Sequence, residues 1–326
     1  MDYSEWFIPG LGEAKSDCGK VVSMRFCDNC GHHEPVGRSC DAWTCPVCYY
    51  NAVKRAADKM DIKLDGTQAA YSAIGSYPGR VCHMVLSPSA KDLKNKCYDQ
   101  LYSKMRKCID LIGVLGGYVV PHPFEIKGKY KSKLYKYCKS NSILGGEWRA
   151  ILHDPLLFGD WLSYLKTRLH FHIVGYYPHI ITKFKEFKKL TNGWIYVPFE
   201  FENRNVYETC SYELAHAGVR PGHIVYRPFG LLSSRYIHTE RKITKEYVNC
   251  PKCDSEQFYH VKVGQSSYDS FKRGEWTPKI IPIKDGGADP RVRRCIINYW
   301  FVIPAHILSM SGSYRGQLIL DNFINV

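Results

Sequence analysis

The sequence predicts an α+β fold flanked by cysteine-rich modules, on three observations. Short alternating or β-branched runs, "VCHMVLSPS", "YVVPHPFEI", "RLHFHIVGYYP" and "TNGWIYVPFEF", read as strands. Between them lie stretches of helical period. In "AKDLKNKCYDQLYSKMRKCIDLIG", Leu93, Cys97, Leu101, Met105, Cys108 and Ile112 recur at steps of three or four. Cys-x-x-Cys pairs occur near both ends. Strands and helices mixed in this way suit a layered α+β sandwich better than a regular α/β barrel.

Taken in order, residues 18–50 are dense in Cys and His, and "NAVKRAADKMDIKLD" reads as a helix. The linker "GSYPGR" (75–80) precedes the first strand, which a proline ends. Gly113 and the Gly116-Gly117 pair stop the following helix. The stretch "KGKYKSKLYKYCKS" (127–140) interleaves lysines with Tyr130, Tyr135 and Tyr137 and reads first as a solvated loop. Its functional reading is a patch that tracks phosphates and stacks on unpaired bases. The histidine strand comes third, "TNGWIYVPFEF" fourth, and a helix over 206–217 follows. Beyond 240 the chain is basic and Cys-bearing and ends in the strand-like "CIINYWFVI". Three parts are expected: an N-terminal zinc-binding module and helix (1–74), a central domain (75–240) and a C-terminal zinc-knuckle region (241–326).

The 326 residues carry a net charge of +14 and fourteen cysteines. The basic balance fits a partner that carries phosphates, as it would a ribosomal or membrane-surface protein. No secretory segment opens the chain and no apolar run is long enough to span a bilayer, so an intracellular protein without a membrane partner is expected. In that setting clustered cysteines point to metal rather than to disulfides.

Cys27 with Cys30 and Cys45 with Cys48 form two knuckles separated by 14 residues, which reads as one structural zinc site. Cys40 is surplus, and Cys40, His32 or His33 can replace one of the four. Cys250 and Cys253 form a further knuckle that needs two more ligands, with His260, Cys295, His238 or Cys40 as candidates. Four-cysteine sites leave no open position for chemistry, so both zincs read as structural.

Alternation sends His170 and His172 to one side of their strand, roughly 7 Å apart at Cα, a spacing that lets two imidazoles converge on one metal. The helix "NRNVYETCSYELAHAGVR" answers them. Asn205 and Glu208 resemble a capping box and Gly218 a stop. Val206, Cys210, Leu214 and Ala217 share the core face. Glu208, Tyr212 and His216, spaced by four, share another face about 200° away.

These residues carry a resemblance. "LHFHIVG" looks like the His-hydrophobe-His motif of the HUH endonucleases. "SYELAHAG" resembles the tyrosine motif in the form used by archaeal plasmid and virus rolling-circle replication initiators. "HMVLSPS" resembles the first motif of that family and "GGYVVPHPF" the strand between, over roughly residues 80–240. The resemblance implies a central antiparallel sheet flanked by helices, ferredoxin- or RRM-like. It also implies nicking and joining of single-stranded DNA at an origin. A metal on His170 and His172 would hold the scissile phosphate, and Tyr212 would attack it to give a 5′-phosphotyrosine.

By analogy with single-tyrosine transposases of the superfamily, His216, four residues beyond the tyrosine, becomes the third ligand. Glu208 is a further ligand or orienting group. Other initiators place a lysine three after the tyrosine, where this chain has Ala215. Tyr207 lies about 140° round the helix from Tyr212 and is at most a second tyrosine. His83 and His122 are strand neighbours that could face the site, with structural or DNA-contacting roles the expectation. Mn²⁺ or Mg²⁺ is the expected catalytic metal and Zn²⁺ the structural one. With no Walker A loop, a host helicase and polymerase are the expected partners in the cytoplasm of a cell that carries the plasmid or virus. The rivals are an HUH transposase or relaxase, and a non-catalytic zinc-ribbon protein that binds nucleic acid.

Overall fold

The computed structural model describes residues 2–141, 148, 151, 161–177, 183–199, 205–233, 237–243, 249–256, 258–275 and 295–301. Its strands are β1 (Val21–Cys27), β2 (His33–Gly37), β3 (Arg80–Ser87), β4 (Gly116–Ile126), β5 (Leu165–Tyr177), β6 (Ile195–Phe199), β7 (Arg227–Gly230), β8 (Ile237–Ile243), β9 (Phe258–Lys262) and β10 (Cys295–Phe301). Its helices are α1 (Tyr49–Ala73), α2 (Ala90–Asn95), α3 (Tyr98–Ile112), α4 (Gly128–Ser140), α5 (Trp161–Tyr164), α6 (Phe184–Thr191), α7 (Val206–Ala215) and α8 (Gln265–Lys272). The class is α+β with antiparallel sheets. Among the described residues no helix is long and apolar enough to cross a membrane.

The chain divides into two compact units, one built on Met1–Glu13 and Ala42–His238, the other on Ala14–Asp41 and Thr239–Tyr299. Three successive parts were expected. Instead, the two cysteine-bearing ends contribute to one unit because β1 pairs with β9 across the length of the chain, and α1 goes to the central unit.

In the first unit five strands form a sheet in the order β6-β3-β5-β4-β7. Each neighbouring pair is antiparallel. β3 and β4 flank β5 and are joined through α2 and α3. β5 and β6 flank β3, with α6 in their connection. Two split βαβ units are thus interleaved.

Strand alternation separates the two faces of this sheet. On one, Met84, Leu86, Val119, Leu169, Phe171 and Ile173 are fully buried. They share a core with Leu101, Met105 and Cys108 of α3, Leu134 and Cys138 of α4, and Phe187 of α6. Each such side chain contributes about 1.5–3 kcal/mol by leaving water. The other face carries His83, His122, His170, His172, Val174 and Tyr176. There the Tyr176 hydroxyl donates to the Leu64 carbonyl of α1, and α1 packs against α7.

The second unit contains the sheet β2-β1-β9 and α8, over a small core of Val21, Met24, Phe26, Val263 and Tyr268.

Three expectations are revised. The stretch expected as one helix over 90–113 is two. Ser89 caps the first, Lys96 is extended (ψ 145°), and Cys97 starts the second with its N–H donating to the Gln100 side chain at 3.1 Å. Cys97 is therefore an exposed cap and not a member of the apolar stripe. The lysine stretch is a helix, not a loop, because Leu134 and Cys138 sit one turn apart and both reach the core. The last helix of the unit ends at Ala215 with His216 as its cap.

Gly175 of β5 faces Gly117 of β4, and a Cβ on Gly175 would strike the Gly116 carbonyl and lie 2.9 Å from the Gly117 Cα. Gly175→Val is expected to cost about 1–3 kcal/mol, read as a lower midpoint in urea unfolding.

Candidate metal centres

The histidine centre is a product of strand register. His122 stands opposite His170 on β4–β5, and His172 stands opposite both Val120 and Val85. His83 faces Val174, so it shares the face of His172. Four imidazoles from three strands therefore project from one side of the sheet. Ring centroids are 4.0 Å apart for His122 and His172, 5.0 Å for His170 and His172, and 5.0 Å for His83 and His172.

Helix α7 brings the rest. Its N-terminus is fixed by Asn205, whose side chain accepts the Glu208 N–H at 2.7 Å, and the Glu208 carboxylate returns to the Asn205 N–H at 3.4 Å. Glu208 is thus an exposed capping residue and is not gathered with the imidazoles. The carboxylate at the centre is Glu213, buried to 3% exposure. Its Oε2 lies 2.7 Å from His172 Nδ1 and 3.5 Å from His122 Nε2, and its Oε1 lies 3.5 Å from His83 Nε2. Glu213 escaped the sequence reading. The signal for it is the run Thr209, Glu213, His216 at helical spacing, three polar residues on a buried face.

The hydrogen bonds fix which ring nitrogens remain for a metal. His170 Nδ1 donates to the Arg168 carbonyl at 2.9 Å and His122 Nε2 to the Glu213 carbonyl at 2.9 Å. His172 Nδ1 is hydrogen-bonded to His83 Nε2 at 2.8 Å, with Glu213 Oε2 at ion-pair distance, 2.7 Å away. This leaves His122 Nδ1, His172 Nε2 and His216 Nδ1 as buried nitrogens without a hydrogen-bond partner. Burial, then neighbouring imidazoles, hold His122 and His172 well below the usual histidine pKa, and burial also lowers His170. Burial brings His216 down to about 3, against the Glu213 charge. Neutral imidazoles with orphaned lone pairs are what a metal ion requires.

His122, His170 and His172 form one group able to hold a metal ion. His83, His172 and Glu213 form another, and His122, Glu213 and His216 a third. The third imidazole beside the expected pair is thus His122, placed by register. His216 reaches the cluster through His122, at 4.2 Å between centroids, and stacks on Trp148 at 5.0 Å. Tyr212 rests its ring against His216 at 4.6 Å and is 38% exposed, so its hydroxyl-bearing ring stands at the rim of a buried cluster. Tyr207 sits half-buried earlier on the same helix.

A sulfur centre lies within the second unit. Cys27 and Cys30 gather with Cys250 and Cys253. Cys27 Sγ is 3.6 Å from Cys253 Sγ, and Cys30 Sγ is 3.7 Å from Cys250 Sγ. Zinc–sulfur bonds of about 2.3 Å in a tetrahedron require sulfurs about 3.8 Å apart, so the set fits zinc. The two knuckles match in backbone. The N–H of Gly31 bonds to the Cys27 carbonyl and that of Asp254 to the Cys250 carbonyl. Both residues are left-handed, at φ 69° and 55°.

The expected pairing of Cys27 and Cys30 with Cys45 and Cys48 is therefore replaced, because β1–β9 pairing delivers Cys250 and Cys253 instead. Cys45 and Cys48 belong to the first unit, buried at the start of α1. Cys40 is in the second unit, beside a cleft that Cys18 also lines. The side chains of His238, His260 and Cys295 lie outside the described residues.

Comparison of the chain with protein-family models, with curated proteins and with solved structures finds no match.

Cys253→Ser is expected to lower bound zinc by one equivalent, measured by elemental analysis, and to lower the melting temperature. A second expectation concerns pH. The buried imidazoles bind fewer protons folded than unfolded once pH falls below about 6.5. Stability is therefore complete above that pH and is lost as pH falls toward the depressed folded values. The loss is about 1.4 kcal/mol per pH unit for each imidazole that stays neutral. Denaturant midpoints at pH 7.5 and pH 5 check this.

Proposed function

We propose that this chain is an HUH-type endonuclease that nicks and rejoins single-stranded DNA to start rolling-circle replication. The observation that carries the reading is the placement of Tyr212 at the rim of the buried histidine cluster, its ring on His216. The interleaved βαβ order, ferredoxin-like in type, agrees with it. The net charge of +14 suits a phosphodiester substrate.

In this reading His122, His170 and His172 hold a divalent metal, Mn²⁺ or Mg²⁺, with Glu213 and His216 beside them. When bound, the metal supplies Lewis-acid polarisation of the scissile phosphate. The Glu213 carboxylate sits 2.7 Å from His172 Nδ1, which leaves the buried Nε2 as the ligand atom. The Tyr212 oxygen attacks phosphorus, and a new P–O bond forms as the bond to the 3′ oxygen breaks. The products are a 5′-phosphotyrosine and a free 3′-OH. Attack by a 3′-OH on that linkage reverses the step and frees Tyr212, with no external energy source. The rim position leaves the Tyr212 ring open to a strand while His122, His172 and His216 stay buried. The four-cysteine centre is structural in this scheme, and unwinding falls to a host helicase.

The test is incubation with labelled single-stranded oligonucleotides from candidate origin hairpins and Mn²⁺. A covalent protein–DNA adduct is expected, abolished by Tyr212→Phe and by chelator and kept by Tyr207→Phe. The reverse pattern for the two tyrosines would move the nucleophile. The absence of an adduct with origin, transposon-end and transfer-origin strands alike would remove the enzyme reading.

A further inference from the structure

The charge of the first unit is segregated between the helices on the two faces of its sheet. The segments that bury side chains in the apolar-face core are 90–112, 127–140 and 183–191. Together they hold sixteen Lys and Arg against four Asp and Glu. On the histidine face, α1 and α7 hold four against five. Most of the basic balance of the chain is thus turned away from the histidines.

This excess lines a built feature. Between α3 and α6 lies a cleft of about 810 Å³ whose walls include Lys96, Lys104, Lys107, Lys183 and Lys189. Two of these lysines are pre-ordered by Asp92, Lys104 at 2.7 Å and Lys96 at 2.8 Å. That lowers the side-chain entropy they lose when they meet an anion. Asp110 and Glu186 also line the cleft, so its lining is cationic by three charges. Such a surface pairs with a run of phosphates at regular spacing. Its described lining holds aliphatic and charged side chains and no aromatic ring. Unpaired bases, which bind by stacking on aromatic faces, find no platform there.

We propose that this cleft binds the backbone of duplex DNA, on the sheet face opposite the histidine cluster. The choice of DNA rests on the reading of Tyr212 as a DNA nucleophile, whereas the preference for a double helix rests on the cleft alone. The surface would hold the paired region that flanks a single-stranded site. Its contacts are to phosphates, so binding is indifferent to sequence and steeply salt-dependent.

The experiment uses the full chain with Tyr212→Phe, which separates binding from cleavage, and short labelled duplex DNA, single-stranded DNA and duplex RNA. Lys107→Ala, Lys183→Ala and Lys189→Ala are combined in one variant, and circular dichroism confirms that it folds. The triple variant is expected to bind duplex DNA about tenfold or more weakly. The slope of log K against log salt should fall by about 3. Single-strand binding should stay within about twofold, as should adduct formation when Tyr212 is restored. Unchanged duplex binding overturns the proposal. An equal loss for single and double strands overturns the preference for a double helix, and tighter binding of duplex RNA than of duplex DNA overturns the choice of DNA.

Discussion

A carboxylate buried to 3% exposure is the constraint on which the first unit depends. Taking a charge of that kind out of water costs several kcal/mol unless polar partners surround it. Glu213 meets His172, His83 and His122 from three strands and is delivered by α7. Helix docking and strand register are therefore one requirement, since a slip of one residue in β4 or β5 would turn an imidazole to the opposite face. The same burial keeps the imidazoles neutral, so the group that organises the cluster also sits where its lone pairs are available.

Much of this was legible in the sequence, within definite physical bounds. Period two placed His170 and His172 on one face, and the capping box at Asn205 and Glu208 is present. Period two within one strand is silent about its neighbours, so the pairing of His122 with His170 needed the sheet. The acid at the centre was missed because the stripe was anchored on Glu208, which the cap consumes, and Glu213 is one residue beyond Tyr212. In 127–140 the density of lysine obscured the one-turn spacing of Leu134 and Cys138 that makes a helix pay its way against the core. The short gap between Cys27/Cys30 and Cys45/Cys48 suggested one ribbon, whereas the partner knuckle is a turn that precedes β9 in the far part of the chain.

The charge pattern gives the two sheet faces different chemistry. On one, neutral imidazoles and a carboxylate sit under α1 and α7, whose charges nearly cancel. On the other, an apolar core underlies helices rich in lysine. A net charge read from composition locates none of this; the alternation of the strands and the order of the crossovers do.

The sulfur centre has a consequence for the order of assembly. Cys27 and Cys253 are 226 residues apart and Cys30 and Cys250 are 220 apart, and most of the first unit lies between them. A ribosome exposes β1 and its two cysteines early, but their partners emerge only after β3 to β7 have been made. Domains tend to fold as they leave the ribosome. Most of the first unit is therefore available to fold while the cysteine-bearing unit still lacks its second half. During that interval the Cys27 and Cys30 thiols are a half-site exposed to oxidants and to loosely held metal. The yield of intact protein thus becomes a matter of timing as much as of stability.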